Sequence, residues 1–402
     1  MARPKLLVIA ERYPPEGGGA ELATHLIIDV LRRYFDIVVL TGVMNPVQYG
    51  NIEYLYDPLL SRWEKPILWL NTLKLVESEK FRKLLKGIDI VYVPRMAFPL
   101  VPYVKKHGKK VVVHLHDYVP VTYAAAVLAP FEEHGGRVHI DSIGIECYGR
   151  GPIRCMSALV LNWLPRLARK WISYADGVLC VSKRHAKIVK SLAPELKEKI
   201  TVMYNPVPKE WFMKNKLKNF NDSPLFLYVG GDSYVKGFRV LTNALNSLCK
   251  KDLLAKFIFT GNYSPKSIRL LNTLSEKCVF DISVIGRVNR DLLEQVYLRS
   301  WALLFPSIWE EPLPYALAEA IAFRALPIAS KVGGVPELLS GTPAENFMFR
   351  PRDHTTLASL MSLVARMSVD EVHRISRDVS ERVRRLTIHT TELLVRYFKS
   401  LA

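Results

Sequence analysis

Nowhere in the 402 residues does an uninterrupted apolar stretch reach the ~18 residues that a membrane-spanning helix needs, so none is expected. The first apolar run, Leu6–Ala10, is too short for the core of a signal peptide, and charges follow at once. Cysteine is scarce, with five in the chain. That count does not make a disulfide framework at this length, and it points to a reducing, cytoplasmic setting. Cys147 and Cys155 flank Tyr148–Arg154 without the spacing of a zinc pair and read as loop packing. Low-complexity runs and fixed-period repeats are absent, which excludes fibrous and solenoid classes. No Asp-x-Asp pair occurs, which argues against a metal-bridged diphosphate.

What is present is the balance of a globular protein, 49% hydrophobic and 23% charged. The net charge of +18, from 56 basic against 38 acidic residues, calls for an anionic partner: nucleic acid, a phosphorylated small molecule or an acidic membrane. Aromatic-basic RNA motifs and recognition-helix patterns are missing, so nucleic acid is not the expected partner. Basic residues crowd Trp163–Lys190, among Trp163, Trp171 and Tyr174. Within Ser157–Tyr174 they alternate with apolar ones as in an amphipathic helix, which either lies on anionic lipid or packs on a domain with a solvated basic face.

Short β-branched runs alternate with longer amphipathic ones, the pattern of parallel sheets with crossover helices. The first half carries such runs at Lys5–Glu11, Asp36–Leu40, Asp89–Pro94, Lys109–His116, Gly177–Ser182 and Ile200–Asn205. The proline- and lysine-bearing stretch Asn205–Pro224 interrupts them as a linker. They resume at Leu225–Gly231, Ala255–Gly261, Phe280–Gly286, Trp301–Ser307 and Leu326–Ser330. The expected fold is α/β, with two doubly wound, Rossmann-like domains facing across a cleft. The N-terminal domain covers residues 1–205 and the C-terminal one 206–385. Residues 386–402 form a helix that packs back on the first domain.

Ligands of such folds sit outside the carboxyl ends of the strands. Gly17, Gly18 and Gly19 follow the first strand and precede a helix, whose free N–H groups and dipole suit a phosphate, or else they form a mobile surface loop. This spacing is neither the dinucleotide fingerprint nor a P-loop, since no Gly-Lys-Ser/Thr follows. His116 and Asp117 end another strand, where a histidine can orient or protonate a hydroxyl; His114 reads as structural. Gly230, Gly231 and Lys236 follow the first strand of the second half and suit a diphosphate. Glu311 and Glu319 lie on a loop and the helix that it leads into, in an apolar setting. Carboxylates there avoid a desolvation penalty by binding hydroxyls. Glu310, off their spacing, reads as solvent-facing. Gly333 and Gly334 mark a further strand-to-helix turn.

Glu-x7-Glu, the following "PIASKVGGVPELL" and the preceding "VGG…KG" loop together resemble the retaining glycosyltransferases of family 4, which have the GT-B fold. "YNPV" and the His-Asp pair extend the likeness over most of the chain. The resemblance implies a UDP-, GDP- or ADP-sugar donor, a lipid-linked or glycan acceptor, and no cofactor or metal. It implies that Glu319 binds ribose, that Glu311 contacts the donor sugar, that Lys236 and the Gly17–Gly19 loop hold the diphosphate, and that His116 sits by the acceptor. It further implies same-face attack with retention, a donor phosphate oxygen taking the acceptor's proton. Gly231 stands where the family has arginine, with Arg287 or Arg239 as substitutes. Glu311-Pro312-Leu313-Pro314 replaces the family's E-x-F-G. Alternatives are a GT-B-like nucleotide-sugar epimerase and a non-catalytic basic binder of nucleotides or nucleic acid.

Overall fold

The computed structural model describes residues 3–213, 223–249 and 253–402. The linker expected at Asn205–Pro224 therefore lies partly outside the described residues; its described part includes a short helix, Lys209–Met213. Two compact units form. The first comprises Met1–Ala126, Ser157–Pro206 and Thr387–Ala402, and the second Val127–Met156 and Val207–Leu386.

Unit 1 is built on a parallel seven-stranded sheet. Its strands are β1 (Lys5–Ala10), β2 (Asp36–Thr41), β3 (Glu53–Tyr56), β4 (Ile90–Val93), β5 (Lys110–Leu115), β6 (Gly177–Cys180) and β7 (Ile200–Val202). Their spatial order is β3-β2-β1-β4-β5-β6-β7. The central strands are apolar on both faces because helices cover both, and β4 and β6 are buried throughout. Leu394 and Phe398, from the end of the long helix Val369–Lys399, belong to this core. Phe398 sits edge-on to Tyr92 at 5.4 Å, and burying such a ring is worth about 1.5–3 kcal/mol.

Unit 2 repeats the design with β8 (Leu225–Val229), β9 (Lys256–Thr260), β10 (Asp281–Gly286), β11 (Ala302–Phe305), β12 (Leu326–Ser330) and β13 (Met348–Phe349). All are parallel, ordered β10-β9-β8-β11-β12-β13. The order reverses at β1/β4 and at β8/β11, so the loops after those strands are the natural ligand positions.

Four expectations need correcting. Val127–Met156, assigned to the N-terminal domain, packs in unit 2, because residues 127–131 pair antiparallel with the segment after β11. Glu310 N donates to Val127 O at 2.8 Å and Ala129 N to Ile308 O at 3.0 Å. Ser157–Tyr174 is not one helix: Pro152–Leu161 stops and Leu164–Ile172 begins after it. The ring of Pro165 excludes the carbonyl of Leu161, four residues back, and ends the helix there. The edge strands β3 and β13 were not anticipated; β13 has two residues, too few for a periodic signal. Cysteines do pair, Cys147 with Cys155 across a helix–turn–helix and Cys249 with Cys278, leaving Cys180 buried and free. Their Cα atoms lie 4.2 and 4.8 Å apart, a closeness the sequence separations of 8 and 29 do not announce.

Candidate functional site

In unit 2 the segment after β11 turns inward before the helix Tyr315–Ala322. Glu311 is only 3% exposed and is surrounded by donors. Its Oε1 accepts from Lys236 Nζ at 2.7 Å, Ser307 Oγ at 2.9 Å and Trp309 Nε1 at 2.6 Å. A buried carboxylate needs such compensation. Lys236, with its side chain 34% exposed, reaches this point because Gly237 takes φ +78° and caps the helix Phe238–Leu248. A side chain at Gly237 would strike the Pro306 carbonyl, which fixes the lysine's approach to the β11 loop.

Glu310 is not solvent-facing. It is 1% exposed, its Oε1 accepts from Phe131 N at 2.7 Å, and its Oε2 accepts from Gly333 N at 2.7 Å. One carboxylate thus ties the 127–131 segment to the turn after β12. Gly334 N donates to the Glu311 carbonyl at 2.9 Å. The N–H groups of Gly333 and Gly334 are therefore engaged in holding the Glu310-Glu311 segment. Gly333 has φ +50°, and a β-carbon there would collide with the Glu311 carbonyl.

Glu319 lies on Tyr315–Ala322, where small neighbours let it sink to 9% exposure. Arg290 Nη2 and the Tyr297 hydroxyl each approach its carboxylate at 3.4 Å. Burial raises its pKa above the usual carboxylate range, with Arg290 pulling the other way.

Beside these groups, unit 2 holds a cavity of about 530 Å³ lined by Gly230, Gly231, Asp232, Thr260 and Arg287 among others. Gly231 N donates to Thr260 O at 3.2 Å and Asp232 N to Asn262 O at 3.1 Å, which pins the glycine loop against the end of β9. Of the two candidate replacement cations, Arg287 lines the cavity and Arg239 points to solvent on its helix. Lys236, Glu311 and Glu319 are not among the lining residues.

In unit 1 the loops after β1, β4 and β5 bring together Glu11, Arg95, His116 and Asp117. Arg95 Nε lies 3.4 Å from Glu21 and 3.9 Å from Glu11. Glu21, in the first turn of the helix Gly19–Leu31, accepts from Gly18 N at 2.7 Å, so that N–H already has an anion. Gly17 takes φ +103°, and a side chain there would run into Glu21. Burial pushes the Glu11 carboxyl up to about 7, against the pull of Arg95. Burial pushes the Glu21 carboxyl up, but Arg95, the backbone N–H groups of Gly18 and Glu21, and Arg12 together hold it below the usual range. The His116 ring lies tilted against that of His114, with centroids 4.2 Å apart; burial, then His114 and Arg95, lower its pKa well below the usual histidine range and keep the ring neutral. Both its ring nitrogens are buried without a hydrogen-bond partner. His114, bonded to the Tyr92 hydroxyl at 2.8 Å, is pushed down to about 3 by burial and then by His185. Asp117 turns back to accept from Val119 N at 3.0 Å, and its carbonyl contacts His185 Nε2 at 3.1 Å.

The structure thus joins Lys236 with Glu311, and the Gly17–Gly18 loop with the first helical turn through Glu21. Sequence reasoning overlooked Glu11, Arg95, Ser307, Trp309 and Arg290. The strand-end rule covers the first four, since each follows a strand within a few residues. Arg290, the first residue of the helix after β10, lies as close behind its strand as Trp309 does and falls under the same rule.

A model of glycosyl transferases group 1 matches residues 209–380, and a model of glycosyltransferase family 4 matches residues 17–211. The chain is 26% identical over 200 residues to the phosphatidylinositol N-acetylglucosaminyltransferase gpi3 subunit of Schizosaccharomyces pombe, covering 50% of this chain and 43% of that relative. The match therefore spans less than half of that relative's length. To the GPI3 subunit of Saccharomyces cerevisiae (strain YJM789) it is 22% identical over 330 residues, covering 76% of this chain and 70% of the relative. Among solved structures it superposes on sucrose-phosphate synthase from Thermosynechococcus elongatus with TM-score 0.71, 15% identity and 99% coverage of both chains. On Anabaena HepE in complex with UDP and glucose the TM-score is 0.66, with 15% identity and 99% and 100% coverage.

Proposed function

The chain belongs to the GT-B glycosyltransferases of family 4 type, and from that premise we propose that it transfers a hexosyl group from a nucleotide sugar to a hydroxyl of a lipid-linked acceptor, with retention and without a metal. The observation that carries this reading is the Lys236–Glu311 pair, 2.7 Å apart at the carboxyl ends of the β8/β11 switch. An ammonium with further hydrogens to donate stabilises a departing diphosphate, and the carboxylate that orients it faces the sugar. Glu319 accepts from the ribose hydroxyls, and Arg287, lining the cavity, supplies the cation that Gly231 lacks. Asp117 and His116, whose ring burial keeps neutral, serve the acceptor hydroxyl. Its proton passes to a donor phosphate oxygen as the new glycosidic bond forms on the face the diphosphate leaves. The HepE complex with UDP and glucose supports a UDP-sugar as the first donor to test.

A lipid acceptor is supported by the relatives' names and by the surface of unit 1. The helix Lys65–Glu77 turns Ile67, Leu70 (61% exposed) and Leu73 outward, where a solvated helix carries polar residues. Trp63 precedes it, and Leu159, Val160 and Trp163 are exposed about the break in Ser157–Tyr174. Trp69 meets Trp171 edge-on at 5.1 Å, joining this helix to Leu164–Ile172. Exposed Arg62, Lys74, Arg166 and Lys170 suit an anionic headgroup layer. No helix of the described residues is long and apolar enough to cross a membrane. The exposed apolar and basic residues of this surface support a peripheral position at a cytoplasmic membrane face.

Calorimetry with UDP-, GDP- and ADP-glucose, on wild type, Glu311→Ala and Glu319→Ala, tests the donor site. Wild type is expected to bind at least one, and Glu319→Ala to weaken it about tenfold or more. Absence of binding to all three would sink the reading. Pelleting with phosphatidylglycerol vesicles, abolished in Leu70→Glu, tests the surface.

A further inference from the structure

Arg290 opens the helix Arg290–Arg299, whose N-cap Asn289 accepts from Leu292 N at 2.9 Å. Its guanidinium lies over the Trp211 ring at 4.2 Å while it reaches Glu319 at 3.4 Å. Trp211 stacks on Phe323 at 5.9 Å, and Phe323 on Tyr297 at 5.8 Å. Tyr297 then closes the circuit with its hydroxyl on Glu319 Oε2. Three buried rings therefore brace one half-exposed cation against one buried carboxylate. A surface arginine otherwise loses much of such a contact to side-chain freedom; the aromatic face removes that freedom.

We propose that Arg290 is a positioning residue of the donor site: braced on Trp211, it keeps Glu319 a carboxylate, able to accept from both vicinal hydroxyls of the donor's ribose. The inference rests on the donor reading above and adds what makes it workable. A protonated Glu319 donates with one oxygen and is a poor match for a diol. Burial favours that protonated form, and Arg290 opposes it. Arg290 and Tyr297, both from Arg290–Arg299, are the titratable groups that act on Glu319; burial holds the phenol neutral well above its usual range, so it donates throughout. Removing the arginine raises the pH at which Glu319 ionises. Donor affinity is then lost as pH falls and regained as pH rises.

Calorimetry with UDP, and with GDP and ADP in parallel, across about pH 5.5–8.5 tests this. Arg290→Ala is expected to bind within about threefold of wild type at the alkaline end and at least tenfold more weakly at the acid end. Arg290→Lys should recover most of the loss, which a packing defect would not allow. A ligand-free readout accompanies it: the carbon-13 carboxyl resonance of Glu319, assigned with Glu319→Gln, should titrate at a higher pH in Arg290→Ala than in wild type. If wild type binds a nucleotide, Glu319→Gln weakens it, and Arg290→Ala binds like wild type at every pH, the proposal is overturned while the donor reading stands. A pH-independent loss in Arg290→Ala also overturns it. If wild type binds no nucleotide, both fall together, whatever the carboxyl resonance does.

Discussion

The two units set polar groups at the same topological place and build them on opposite plans. In unit 2 each glutamate of the 310–319 stretch has its own partners. Glu311 has Lys236, Ser307 and Trp309; Glu310 has two backbone N–H groups; Glu319 has Arg290 and Tyr297. In unit 1 one guanidinium, Arg95, serves Glu11 and Glu21 at once, beside histidines too buried to charge. Matched pairs fix geometry. A shared cation leaves one carboxyl, Glu11, holding its proton up to about pH 7. The same fold therefore gives each carboxylate its own partners in one half and leaves a carboxyl that titrates near neutrality in the other.

The sharpest way to break the contrast is to remove one of the partnered carboxylates. Glu311→Ala removes the carboxylate that orients Lys236, and activity, read as nucleoside diphosphate release, should fall about 10²–10³-fold. Glu311→Gln keeps the shape and should lose less. A loss below tenfold in the alanine variant would mean that Lys236 positions itself. Glu310→Ala is the structural counterpart. It orphans the N–H groups of Phe131 and Gly333, at about 1–3 kcal/mol each. Urea denaturation should show that loss, and failure to find it would demote Glu310 from strut to bystander.

How much of this was legible in the sequence follows the range of the interaction. Strand runs and the glycines after them are local, and their places hold to within a residue or two except at β7, which ends at Val202, three residues before the expected Asn205. Lys236 and Glu311 were both named, but their contact, across 75 residues, was not. Glu310 was misread for the same reason: its partners are Phe131 and Gly333, and nothing near Glu310 advertises them. The disulfides and the allegiance of Val127–Met156 to unit 2 are likewise decided by pairings over distance. Pro165 is the opposite case. The residue that splits Ser157–Tyr174 was in plain view, and the apolar-basic alternation overrode it.

The unit 1 cluster gives the next prediction, and its sign can be worked out. The Glu11 carboxyl titrates near 4.5 in an ordinary setting and near 7 when folded. Between those values the folded chain holds a proton that the unfolded chain has released. Stability must therefore fall as pH rises through this window, by about 3 kcal/mol in all, and stay low above it. Glu11→Gln should abolish that fall and leave the variant more stable than wild type at pH 8. Denaturation midpoints at several pH values read the difference. Parallel curves for the two proteins would mean that Arg95 holds Glu11 ionised after all, and the contrast between the units would collapse.

The smallest effect separates two cations that the sequence could not rank. Arg239 lies on the exposed side of its helix, whereas Arg287 lines the 530 Å³ cavity beside Gly230 and Gly231. If Arg287 supplies the charge that Gly231 lacks, Arg287→Ala should weaken nucleotide diphosphate binding about tenfold, or about 1.4 kcal/mol. The loss should shrink as salt is raised, since Arg287 is exposed and its charge is screened. Arg239→Ala should stay within about 0.5 kcal/mol of wild type in affinity and stability, as surface substitutions do. Equal effects from both would place the missing charge with neither, and would leave Lys236 as the one cation of unit 2 on which the diphosphate depends.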